Sequence, residues 1–170
     1  MNLKISILVT IIALIYCNKV ACQVYYISSP DSHLNISANF TKETCFNIVF
    51  KGQKVVEKIC VDLTLSDGRA FGSSPKVVST KSEKLNQTIE VPVPNKDRII
   101  KSDFNQLTIF FQKKYNLIIR AYNDGFAYRF IDNKSNFKNV IDEKLELHFN
   151  DGTTSYFPWE ESTYSHNERL

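Results

Sequence analysis

Beyond its first 22 residues the chain has no long apolar pattern repeating every 3.6 positions, and that absence excludes a helical domain. It also lacks HExxH, Gly-x-Ser-x-Gly and any cysteine pair at zinc-ligand spacing, so the common zinc and serine-hydrolase centres have no basis in it. With only five glycines there is no phosphate-cradling loop. A charge excess is missing too. Lys and Arg number 21 against 18 Asp and Glu, a net +3 that falls to +1 once Lys4 and Lys19 are set aside with the N-terminal segment. That is no electrostatic footprint for nucleic acid. No internal repeat and no low-complexity linker divides the chain.

The N-terminus reads as a secretion signal spanning residues 1–22. Lys4 precedes an apolar run from Ile5 to Tyr16, and the small-residue region Val20-Ala21-Cys22-Gln23 follows. A membrane anchor is the competing reading, but a spanning helix wants about 20 apolar residues, and Asn18 and Lys19 cut this run short. A lipoprotein signal ending at Cys22 is the other, and Lys19 stands where such signals carry an aliphatic side chain. Removal of the signal leaves residues 23–170, enough for one domain with its own core, with no membrane span and a secreted, periplasmic or extracellular location.

An exported chain allows two covalent features. Asn35, Asn39, Asn86 and Asn133 each begin an Asn-x-Ser/Thr triplet and are candidate glycan acceptors in a eukaryotic setting; chance occurrence is the plain alternative. Cys45 and Cys60 are the cysteines certain to lie within the domain. If Gly52-Gln53 is a two-residue hairpin loop, they face each other across two strands, and an oxidising compartment permits a disulfide. Counting outward from that loop places them at a hydrogen-bonded pair, where Cα atoms lie about 5.5 Å apart and a bridge is less favourable.

Alternation with period two dominates what remains. Leu34, Ile36, Ala38 and Phe40 share one face, and Phe46, Ile48 and Phe50 repeat the pattern after a polar break. Val55 to Leu65 continues to a turn at Asp67-Gly68, Leu107 to Phe111 and Leu117 to Ile119 flank Lys113-Lys114, and Asp151-Gly152 separates Leu145–Phe149 from Ser155–Phe157 as a further hairpin. Gly72 to Ser82 and Val91 to Lys101 read as less ordered, because Pro75, Pro92, Pro94 and charges interrupt the alternation. The expectation is an all-β domain of short antiparallel strands in a sandwich or barrel. His148 alternates with Leu147 and Phe149 and so points to solvent.

Carboxylates and aromatic rings gather at the C-terminal end, in Tyr156-Phe157-Pro158-Trp159-Glu160-Glu161 and the residues to Leu170. Flat rings suit the apolar faces of sugars, and carboxylates bind hydroxyls or hard cations. By spacing alone a frayed, solvated tail is the favoured reading.

Arg120 to Phe130 reads RAYNDGFAYRF, a hairpin whose turn is Asn123-Asp124-Gly125 with Gly125 free to take positive φ. Ala-Tyr-Asn-Asp-Gly followed by Phe-Ala-Tyr-Arg-Phe resembles the most recognisable segment of the N-terminal domain of glycoside hydrolase family 97, calcium-dependent α-glucosidases and α-galactosidases. The likeness runs from Ser29-Pro30-Asp31 through Phe50-Lys51-Gly52-Gln53-Lys54, Leu63-x-Leu65-x-Asp67-Gly68 and Asn105-Gln106-Leu107-Thr108. It closes on Phe157-Pro158 and Ser165-His166-Asn167-Glu168-Arg169.

That resemblance implies an antiparallel β-sandwich of the galactose-mutarotase (super-sandwich) type, packed in the family on a (β/α)8 catalytic barrel that acts on α-glycosides. It implies Ca2+ as the cofactor of the complete enzyme, with Glu168 as the N-domain ligand, Glu160 and Glu161 as alternatives, and Tyr164 and His166 beside the substrate mouth. No catalytic residue is assigned to this chain and none of its own activity is expected, because the two opposed carboxyl groups of glycoside hydrolysis come from the barrel, which these 170 residues lack. A free-standing sugar-binding module is the second expectation, with Tyr122, Phe126 and Tyr128 lining a concave sheet unless, as their alternation favours, they fill the core. A secreted adhesion sandwich is the third, with no positive sign beyond fold class.

Overall fold

The computed structural model describes residues 24–93, 97–134 and 138–154, and the backbone alone of 157–159 and 167–169. The strands are β1 (Val24–Ser28), β2 (Leu34–Asn39), β3 (Thr44–Phe50), β4 (Gln53–Leu65), β5 (Val77–Glu90), β6 (Ile99–Phe111), β7 (Tyr115–Ala121), β8 (Phe126–Asp132), β9 (Val140–His148), β10 (Phe157–Trp159) and β11 (Asn167–Arg169). One antiparallel sheet has the order β1-β2-β3-β4-β9, a second β5-β6-β7-β8, and β10 pairs with β11. Among the described residues there is no helix. The fold is the antiparallel β-sandwich expected from the sequence.

The alternation builds the space between the two large sheets. Leu34, Ile36, Ala38 and Phe40 turn inward from the first sheet, and Tyr115, Leu117, Ile119 and Ala121 from the second, all buried. Phe46 meets Phe126 and Tyr128 across the gap, with ring centroids 6.0 and 5.8 Å away. Tyr115 is stacked between Phe71 at 4.6 Å and Phe111 at 4.5 Å. Each such ring removes enough apolar surface from water to contribute about 1.5–3 kcal/mol. Burial and the negative charge of Asp62 push the Tyr115 hydroxyl well above the usual phenol range.

The joint between the sheets at one end is a backbone crossing. After Asp67-Gly68 the chain returns along the end of β4, where Phe71 donates its N–H to Leu63 O and Thr44 donates its own to Gly72 O. Gly72 lies so close to β4 that a Cβ there would stand 2.0 Å from Val61 O. Only glycine fits. Asp62 holds the crossing, accepting from the Gly72 N–H at 2.7 Å and from the Ser73 hydroxyl.

Three local expectations are corrected. The β3–β4 turn is Lys51-Gly52, with φ of 49° and 80° as a type I′ turn needs, and not Gly52-Gln53. Gly125 is not among the residues at positive φ; its turn closes through the Tyr122 N–H on Gly125 O at 2.8 Å. Within the stretches read as less ordered, residues 77–82 and 99–101 are strand, since β5 begins at Val77 and β6 at Ile99 and the two pair along their whole length. β5 lies mostly exposed at a sheet edge, so no apolar alternation was needed to form it. Asp151-Gly152 does turn, with Gly152 at φ 80°, and among the described residues β9 pairs with β4, while Ser155 and Tyr156 of the expected returning strand lie outside the described residues.

Candidate functional site

Two separated pieces of the motif pattern meet in space. Ser29 and Asp31 close the β1–β2 turn: the Ser29 hydroxyl donates to Asp31 Oδ1 at 2.5 Å and accepts from the Leu34 N–H at 3.0 Å. The Asp31 N–H donates to Asn123 Oδ1 at 3.1 Å across 92 positions, and Asn105 Nδ2 donates to Ser28 O at 2.7 Å. Asn123 therefore clamps one sheet to the other rather than facing a ligand. The Ser29 hydroxyl, then the His33 backbone N–H, hold the Asp31 carboxyl below its usual range. A Ser, an Asp and a His lie within five positions here, but the serine is buried and bonded to the aspartate, so no nucleophile–base pair exists.

At the opposite corner the Arg69 guanidinium grips Asp132 through two hydrogen bonds of 2.7 and 2.6 Å and reaches Asp67 at 2.8 Å. The pair ties the turn after β4 to the end of β8. Arg69, aided by the Lys134 backbone N–H, draws the Asp132 carboxyl down to about 2. Its role is structural.

Cys45 and Cys60 are joined by a disulfide, with Cα atoms 4.2 Å apart. Their register arises differently from the hairpin count. From Lys51-Gly52 the partners begin as Phe50 with Gln53, and two irregularities, between Phe46 and Ile48 and between Ile48 and Val49, each advance β4 by one residue. Cys45 thus comes opposite Cys60 at the spacing of a non-hydrogen-bonded pair, the one suited to a bridge. The Asn47 amide covers the loosened Glu57 carbonyl. Glu43 lies beside the bridge, making Glu43, Cys45 and Cys60 the metal-donor group found among the described residues. Two of its three donors are disulfide sulfurs, which do not suit a hard cation such as calcium.

The outer face of the second sheet was not anticipated. Cross-strand register sets Gln106, Arg120 and Ala127 in one row and Thr108, Ile118 and Arg129 in the next. The Arg120 guanidinium lies 4.5 Å from the Phe104 ring centroid, and its Nε donates to Gln106 Oε1 at 2.9 Å. Tyr122 leans on the same ring at 5.0 Å. A cleft of about 220 Å³ opens there, lined by Ile118, Arg120, Tyr122, Ala127 and Arg129 among others. The signal was present in the sequence as Arg120, Tyr122 and Arg129 on the outward phase of a hairpin.

The sequence-derived candidates divide sharply. Phe126 and Tyr128 belong to the core, whereas Tyr122 sits on the outer face, so the three do not form one platform. His148 points to solvent beside Glu146. Asn35 is exposed on β2 and Asn86 on β5, while Asn39 accepts from the Thr41 N–H and hydroxyl and Asn133 exchanges amide bonds with Asn116. The signal segment 1–22, Glu160, Glu161, Tyr164 and His166 lie outside the described residues, and Glu168 is described by its backbone alone, opposite Pro158.

Comparison with known proteins adds what the geometry cannot. The chain is 26% identical over 138 residues to a retaining alpha-galactosidase of Bacteroides thetaiotaomicron, an alignment covering 81% of this chain and 21% of that one. It spans about a fifth of that curated relative's length. Among solved structures, a glycoside hydrolase family 97 enzyme in complex with acarbose, from Pseudoalteromonas sp. strain K8, superposes with a TM-score of 0.63 at 18% identity, over 75% of this chain and 20% of that one. A beta-arabinopyranosidase superposes with 0.70 at 16% identity, over 85% and 26%. These likenesses concern the fold. The family model described as Glycosyl-hydrolase 97 N-terminal matches residues 27–170, and the chain belongs to that family.

Proposed function

We propose that this domain forms one wall of the sugar site of an α-glycoside hydrolase and acts with a (β/α)8 catalytic barrel carried outside these residues. The family match over residues 27–170 carries the reading, supported by an alpha-galactosidase relative of which the chain covers about a fifth. The protein is exported, which the Cys45–Cys60 bridge supports. Among the described residues no helix is long and apolar enough to cross a membrane. In this reading Tyr164 and His166 border the substrate mouth, and Glu168, with Glu160 and Glu161 as alternates, offers one calcium ligand. One carboxylate falls far short of the six to eight oxygens calcium takes, so the remaining donors belong to the barrel and no step is assigned to the ion here.

A sugar-binding module that works alone is less well supported, since the core has taken Phe126 and Tyr128 from its aromatic platform. The test pairs the intact chain with a family 97 barrel stripped of its own N-terminal domain, assayed on aryl α-galactosides and α-glucosides with and without calcium. The chain alone should be inactive. Together they should regain calcium-dependent hydrolysis, and Glu168→Gln should weaken the calcium response. A barrel indifferent to the added domain would overturn the proposal.

A further inference from the structure

We propose that the outer face of the β5–β8 sheet carries an oxyanion site. Arg120 and Arg129 are its paired ligands, Ile118 and Tyr122 its apolar wall, and its ligand is a carboxylate or sulfate group such as an acidic saccharide bears.

Register brings the two arginines together. Arg120 stands opposite Ala127 and Ile118 opposite Arg129, so the guanidinium-bearing residues are diagonal neighbours on adjacent strands with the small Ala127 between them. The cleft this leaves, about 220 Å³, is below the roughly 300 Å³ where pockets for drug-sized ligands begin, and suits one small group.

Arg120 is already oriented. Its Nε–H is spent on Gln106 and its Cζ sits over the Phe104 ring, both of which are buried, so the terminal nitrogens remain as the donating edge. A guanidinium held in this way loses little freedom when a planar or tetrahedral oxyanion docks. The arginines that do form ion pairs among the described residues are Arg69 and Arg98, not these two.

The surrounding charge favours an anion. Lys81 pairs in register with Thr108, which extends the row of Ile118 and Arg129, so that row ends in a cation on each side. Among the described residues the one carboxylate on this part of the face is Glu83, held by Lys81 at 2.7 Å and by Gln106 at 3.4 Å. Scaffolding explains the Asn123 turn and the inward rings of Phe126, Tyr128 and Phe130, but it does not call for two outward arginines beside an outward tyrosine.

The alternative is that both arginines only cover apolar surface with their stems. An amide and arginine Nε–H NMR titration of the intact chain separates the two, using sodium glucuronate, glucose and sodium sulfate. Glucuronate and sulfate should move resonances of residues 118–129 and the Arg120 Nε–H, saturating in the low millimolar range and weakening as salt rises. Glucose should not. Arg129→Gln, at an exposed position, should weaken binding about tenfold while leaving the spectrum otherwise folded, and Arg120→Lys should do the same while keeping the charge. A stronger response to glucuronate than to sulfate assigns Tyr122 and Ile118 to the sugar ring; equal responses assign the site to the oxyanion alone. No saturable shift from either anion by about 50 mM, an equal response to glucose, or unchanged binding in both variants would overturn it.

Discussion

Replacing Asp132 by asparagine removes the carboxylate that Arg69 grips through both terminal nitrogens, and leaves a guanidinium with 15% side-chain exposure facing a neutral amide. Arg69, then the Lys134 N–H, lower the folded-state pKa from 3.8 to about 2. A drop of just under two units at 1.36 kcal/mol per unit corresponds to about 2 kcal/mol, trimmed somewhat because the pair is partly open to water. The folded pKa lies below the unfolded one, so this stability is fully present above about pH 4 and is lost as pH falls toward 2. Urea unfolding followed by far-ultraviolet circular dichroism should show Asp132→Asn less stable by about 1.5–2 kcal/mol at pH 7. With a slope of about 2 kcal/mol per molar, its midpoint moves down by nearly 1 M. The gap between variant and native protein should close toward pH 2. Asp31 and Asp67 are also held below their usual range, by Ser29 and Arg69 first, but they titrate in both proteins and largely cancel. A variant as stable as the native chain at pH 7, or a gap that does not change with pH, would refute the assignment of the pair as the clasp between the sheets.

Three more outcomes follow from named contacts. Gly72→Ala should destabilise beyond the usual 1–3 kcal/mol of overpacking, because its neighbour is the Val61 backbone, whereas Gly125→Ala should change the melting temperature little. Reducing the Cys45–Cys60 bridge, whose ends are 15 positions apart, should cost up to about 3 kcal/mol; an alkylation mass unchanged by reduction under denaturing conditions would show there is no bridge. Val140, Ile141, Leu145 and Leu147 are exposed along β9, a sheet edge, and Phe149 just beyond it, so the isolated chain should self-associate in sedimentation velocity and Leu147→Lys should reduce it.

Several features of the fold could be read from residue order because the forces behind them are local. Side chains alternate across a strand by geometry, so Leu34 to Phe40, and Phe46 with Ile48, revealed their buried faces. Asp67-Gly68 and Lys113-Lys114 turned where expected. The motif pattern reached the family. β5 was missed because an exposed edge strand needs no apolar alternation, only a partner's backbone.

What only tertiary structure decided is whatever depends on distant segments meeting. The hairpin loop was misplaced by one residue, yet Cys45 still meets Cys60, because two irregularities in the β3–β4 ladder shift the register, and no local propensity encodes their sum. Pairing of β9 with β4 closes a long loop across the second sheet, and no pattern in either strand names the other. Asn123 looked like a turn residue; the structure makes it the acceptor for Asp31, 92 positions away. Sequence alone determined that this chain is an all-β domain with inward and outward faces on each strand, since that follows from period-two geometry and the cost of exposing apolar surface. Which outward residues become neighbours, as Arg120 and Arg129 do over Ala127, depends on cross-strand register, and register is set by the packed sandwich as a whole.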